Sequence, residues 1–144
     1  MKLQISSQLA VYALLELAAR RDDQLSVGEI GEKYGVSNHH LAKVMNILGR
    51  ARLVRSVRGV GGGYQFIGNA RRTTLLDVIL LFEQLSGADS DNAASGKVTD
   101  EQRALTNVLA EIDETARATL GSITIATMLK MIERQRRPRT SRSG

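Results

Sequence analysis

Cysteine is absent from all 144 residues, which removes disulfides, thiolate nucleophiles and cysteine-ligated zinc or iron–sulfur centres from this chain. Histidine is almost as scarce. The only two are the neighbours His39 and His40; adjacent helical residues point about 100° apart, a poor arrangement for chelating one ion. Aromatic residues are few, with three Tyr, two Phe and no Trp, and the single Pro stands at position 138. No apolar run reaches the roughly 18 residues of a membrane span. Near the start, Ser6, Ser7 and Gln8 interrupt the apolar stretch and Arg20-Arg21-Asp22-Asp23 closes it, unlike a secretory leader. A cytosolic location is expected. The carboxylates have no His or Ser arranged beside them, so neither an enzyme nor a cofactor is expected.

Negative charge is missing from one long segment. The net charge of +5 divides into −2 over residues 1–32, +8 over 33–76, −6 over 77–133 and +5 over the tail from 134. Lys33, Lys43, Arg50, Arg52, Arg55, Arg58, Arg71 and Arg72 stand in a 44-residue stretch without one Asp or Glu. Solvated basic surfaces usually intersperse both signs, whereas a nucleic-acid face gains by excluding carboxylates.

The apolar pattern predicts a helix over residues 5–20, carried by Leu9, Tyr12, Ala13, Leu15 and Leu17. Ser26 with Glu29 forms a capping box that opens a second helix, and Gly35 stops it. Ser37 caps a third helix that is expected to reach about Arg52. Helix, short Gly-containing turn and helix is the spacing of a helix-turn-helix. On the third helix, Lys43, Asn46 and Arg50 fall within about 40° of His39, while Leu41, Val44, Met45 and Leu48 gather opposite. A helix that packs one side and offers donors from the other suits the major groove, with Asn38 and His39 at its leading end; an ordinary amphipathic surface helix has the same pattern.

Leu53–Arg58 and Tyr64–Ile67 are β-prone runs around Gly59-Val60-Gly61-Gly62-Gly63, which reads as a hairpin, or wing. A dinucleotide-binding loop would need a helix after the glycines, and a strand follows instead. Arg58 at the bend is placed to meet a phosphate or a minor groove. A fourth helix is expected over about 74–85, then a polar loop. Thr99 with Gln102 is a second capping box, starting a long helix that Gly121 is expected to end. Leu105, Val108, Leu109, Ile112, Ala116 and Leu120 form its apolar stripe, which either packs on its own domain or pairs with a second chain; pairing is expected. A short helix over about 125–132 and a disordered Arg-rich tail over 134–144 complete the chain.

Several of these runs together resemble the IscR–NsrR–CymR family of bacterial winged-helix regulators. They are Met1-Lys2-Leu3, Ala13–Ala18, Ile30–Ser37 and above all Val57-Arg58-Gly59-Val60-Gly61-Gly62-Gly63-Tyr64, with Thr74–Ile79 and Ser122–Ala126 further on. The run Tyr34–Val44 is most similar to the nitric-oxide-sensing branch. The resemblance implies a mainly α fold with a β-hairpin wing, divided into a winged helix-turn-helix over 1–85, a polar loop over 86–98 and a dimerisation segment over 99–133. It implies a homodimer on palindromic double-stranded promoter DNA, usually as a repressor, with a small-molecule or protein effector left open. It also places His39 and Ala42 facing bases and gives Arg58 the role of the wing arginine. The expected DNA-binding set is then Ser37, Asn38, His39, His40, Ala42, Lys43, Asn46 and Arg50 on the helix, with Arg55, Arg58, Gly61, Gly62 and Tyr64 on the wing. Many members hold an iron–sulfur cluster on three loop cysteines. Here Gly87–Gly96 contains none, and Gln8 stands where the nitric-oxide branch has an acidic ligand, so no cluster is expected.

Overall fold

The structure, a computed structural model, describes residues 2–59, 62–83 and 96–137. The order of elements is α1 (Ile5–Ala19), α2 (Val27–Tyr34), α3 (Asn38–Arg50), β1 (Val54–Val57), β2 (Gly63–Phe66), α4 (Leu75–Ile79), α5 (Asp100–Ser122) and α6 (Ile125–Arg136). This is the expected winged helix-turn-helix followed by a long C-terminal helix.

The α1 sequence is apolar nearly all round, so the helix sits at the centre of the domain. Leu9, Ala10, Ala13, Leu14 and Leu17 are buried against Leu41, Val44, Met45 and Leu48 of α3, with Val54, Phe66, Val78, Ile79 and Ile125 closing the remaining sides. Tyr12 is the exception. It is partly exposed and stacks on Tyr34 of α2, with ring centroids 5.0 Å apart and planes 9° from parallel. The Tyr34 hydroxyl donates to Glu16 Oε1 at 2.6 Å, and the Lys33 ammonium pairs with the same oxygen. Burial would raise the Glu16 carboxyl, but the hydrogen bonds from Lys33 and Tyr34 outweigh it and hold the group below its ordinary range. Burial, and then the Glu16 carboxylate, push the Tyr34 phenol well above its ordinary value. Lys33, counted above with the basic stretch, is therefore spent on fastening α2 to α1.

Both expected capping boxes form. Ser26 accepts from Glu29 N and Thr99 from Gln102 N, each with the reciprocal bond. Thr74 and Asp77 make a third at the start of α4, which the sequence reading passed over. Gly35 takes φ 66 as the left-handed cap of α2. The wing pairs Val54 with Phe66 and Val57 with Gly63 in antiparallel register. Leu25 adds a bridge on the far side of β2, exchanging both backbone hydrogen bonds with Tyr64 at 3.1 and 2.8 Å.

Four element ends differ from expectation. The α3 helix stops at Arg50 rather than near Arg52, because Leu53 N bonds Leu48 O and Arg52 N bonds Gly49 O, a Schellman turn. Arg52 fills its left-handed position at φ 60, where glycine is usual. Arg52→Gly is therefore expected to raise stability by about 0.5–1 kcal/mol, read as an upward shift in the urea midpoint at unchanged slope. The α4 helix is short: after Ile79 the chain continues in turns, and the Glu83 carboxylate accepts Gln4 N at 3.1 Å, tying this end to the start of α1. The α5 helix passes Gly121 to Ser122, where Ile123 becomes extended and accepts Leu75 N at 2.9 Å. The α6 helix runs to Arg136, four residues beyond expectation, so the first residues of the supposedly disordered tail are helical. Arg134 and Arg136 in its last turn complement the helix dipole. Residues 138–144 and 84–95, the latter holding most of the expected polar loop over 86–98, lie outside the described residues.

Candidate nucleic-acid interface

The polar stripe of α3 forms as its period requires. Leu41, Val44, Met45 and Leu48 are buried on the core, and His39, Ala42, Lys43, Asn46 and Arg50 are exposed. A contiguous outward row of one imidazole, one amide and two cations, with a methyl group among them, offers donors and acceptors for base edges and charge for phosphates. On the wing, Arg58 is exposed at the bend beside Gly59.

Several other expected residues are otherwise engaged. The Ser37 hydroxyl accepts His40 N at 3.2 Å and is the N-cap of α3. The His40 ring is half-buried, and its Nε2 shares a 3.1 Å hydrogen bond with Ser6 Oγ of α1. Asn38 lies against α2: a Cβ built on Gly31 would stand 3.0 Å from Asn38 Oδ1. Arg55 stays exposed but directs Nε and Nη2 to Gln65 Oε1 across the hairpin, at 3.2 and 2.8 Å. Tyr64 packs against the core. Gly62 N donates to Gly59 O at 2.9 Å, closing the bend; Gly61 lies outside the described residues. Ser6 of α1, which meets the recognition helix through His40, was not among the expected residues. Its signal was the Ser6-Ser7-Gln8 run, read above only as a break in an apolar stretch.

The α5 stripe divides in two. Leu105, Val108, Leu109 and Ile112 are 51–61% exposed, an uncovered apolar row. Ala116 is half-buried, and Leu120 packs against the core of its own chain, where a Cβ built on Gly121 would stand 3.4 Å from Leu76. Among the described residues no helix is long and apolar enough to cross a membrane.

Comparison with known proteins agrees with this geometry. The family model Rrf2, described as an iron-dependent transcriptional regulator, matches residues 3–131. The chain is 53% identical over 137 residues to the HTH-type transcriptional regulator BadM of Rhodopseudomonas palustris, covering 95% of this chain and 86% of BadM. Among solved structures, IscR of T. potens superposes with a TM-score of 0.72 at 27% identity, covering 96% of this chain and 93% of that one. CymR of B. subtilis, at 23% identity, shares the fold with a TM-score of 0.74 over 91% of this chain and 98% of that one. The relatives named here are regulators and not enzymes.

The iron in the family description finds no matching donors here. The chain has no thiolate, and the Gln8 side chain is turned to its own backbone, donating to Leu3 O at 2.9 Å. Among the described residues no group of three or more His, Asp or Glu is placed to hold a metal ion.

Proposed function

Since the chain belongs to the Rrf2 family of transcriptional regulators, we propose that it is a sequence-specific repressor that binds palindromic promoter DNA as a homodimer without an iron–sulfur cluster. The observation that carries the reading is the exposed row His39, Lys43, Asn46 and Arg50 on a helix whose other side is fully packed. Those side chains read and hold DNA, with Arg58 of the wing on the neighbouring backbone or minor groove. Ala42 in the same row has neither donor nor acceptor, so its contribution is apolar, as against a thymine methyl. The uncovered half of the α5 stripe supports a second copy, and a two-fold dimer matches an operator with two-fold symmetry. Repression, rather than activation, is taken from the family resemblance.

The test is a titration of the purified protein, in air and without added metal, against DNA from upstream of its own gene and against a scrambled duplex. Near-physiological salt is needed because non-specific binding falls steeply as salt rises. A preference of about 10³-fold for the native duplex is expected. Absence of binding to either duplex at low salt would overturn the reading and point to a winged helix that docks a protein instead.

A further inference from the structure

The two residues flanking His39 on α3 face in opposite directions: Asn38 lies on the α2 side and stays exposed, and His40 is bonded to α1. Successive residues on a helix are about 100° apart, so Asn38 and His40 stand on either side of the outward His39. On one side Asn38 rests over Gly31 of α2. A Cβ there would stand 2.8 Å from Val36 O and 3.0 Å from Asn38 Oδ1, so the fit depends on glycine. On the other side His40 Nε2 shares its 3.1 Å hydrogen bond with Ser6 Oγ, in the first turn of α1. The first turn of α1 is itself held, because Gln4 N donates to Glu83. Nε2 is the ring nitrogen farther from the backbone, and it is turned to α1.

We propose that His40 is a positioning residue. Through Ser6 it fixes the rotation of the recognition helix about its own axis, and so sets how well His39 and its row discriminate bases, without touching DNA. The proposal rests on the DNA-binding reading above and deepens it. Its size follows from geometry. Side-chain tips lie about 5–6 Å from a helix axis, so a rotation of about 10° moves them by about 1 Å. Hydrogen bonds to base edges work within a window of about 0.5 Å. Sliding along phosphates is far more tolerant, because charge acts over longer distances than a directed bond. Loss of the Ser6–His40 bond should therefore reduce selection among sequences while leaving non-specific affinity alone.

A double-mutant cycle on the full chain separates this role from its rivals. Ser6→Ala, His40→Ala, the double variant and Ser6→Thr are titrated, at one fixed salt concentration, against the promoter duplex the wild type prefers and against its scrambled counterpart. Ser6→Ala and His40→Ala should each lower the preference about three- to tenfold, the range of one net hydrogen bond. The double variant should lose no more than either single one, Ser6→Thr should retain the preference, and scrambled-duplex affinity should stay within about twofold. Three results would overturn the proposal: Ser6→Ala selecting as wild type while His40→Ala does not, which makes His40 a direct contact; losses that multiply in the double variant; or a parallel fall on both duplexes, which marks a purely structural role. A wild-type chain that prefers no duplex overturns the functional reading itself, and that is visible before any variant is compared.

Discussion

A chain carrying His39→Ala, Lys43→Ala and Arg58→Ala together is expected to bind its promoter duplex about 10³-fold more weakly than wild type. A well-formed base-edge contact is worth about 1–3 kcal/mol, and losing each phosphate contact costs further binding at moderate salt. Three such losses in each half of a dimer exceed the roughly 4 kcal/mol that a 10³-fold change represents. All three side chains are exposed and none fills the core, so the melting temperature should move little. The components separate by salt. Removal of Lys43 and Arg58 should flatten the dependence of log Kd on log salt, whereas removal of His39 alone should lower discrimination with the slope nearly unchanged. If the triple variant keeps wild-type promoter preference, the reading surface lies elsewhere and the basic row is only a solvated face.

How far the sequence could be read depends on how local each cause is. The capping boxes Ser26–Glu29 and Thr99–Gln102 and the stop at Gly35 depend on residues within one turn, and all three form. The 100° period sorted the buried and exposed sides of α3 correctly for the same reason. Helix ends behaved differently. The α5 helix stops where Ile123 O accepts Leu75 N, 48 residues away in sequence, and the end of α4 is drawn to Gln4 by Glu83 across 79 residues. Neither partner is visible from local pattern. The candidate site divides along the same line. His39, Lys43, Asn46 and Arg50 were legible because nothing but the helix period places them outward. His40, Arg55 and Tyr64 also have partners that the local pattern does not show, because Ser6, Gln65 and Leu25 reach them from other elements. Lys33 likewise added to the basic count until Glu16 was found beside it.

The largest effect expected away from the DNA face comes from Leu109→Asp combined with Ile112→Asp on α5. This helix is 23 residues long and buries none of them fully, although an isolated helix draws most of its stability from packing an apolar face. Among the described residues, only its C-terminal end, at Leu120, packs against the apolar core of the chain. Leu105, Val108, Leu109 and Ile112 are thus left as a row of the kind that a second α5 covers, at about 1.5–3 kcal/mol for each side chain fully buried. Two aspartates per chain would place four carboxylates in that seam, each costing several kcal/mol to desolvate, and the proposed dimer should not survive. Sedimentation equilibrium should then give the mass of one chain for the variant and of two for the wild type. The winged domain has its own core around α1, so its thermal transition should persist. Promoter affinity should nevertheless fall about 10²- to 10⁴-fold, because two half-sites held by one dimer bind as a linked pair and two free monomers do not. A half-length duplex carrying one half-site supplies the decisive control, since wild type and variant should bind it almost equally. A variant that remains dimeric and keeps full promoter affinity would move the interface off α5; a monomeric variant with undiminished promoter affinity would refute the need for a dimer at all.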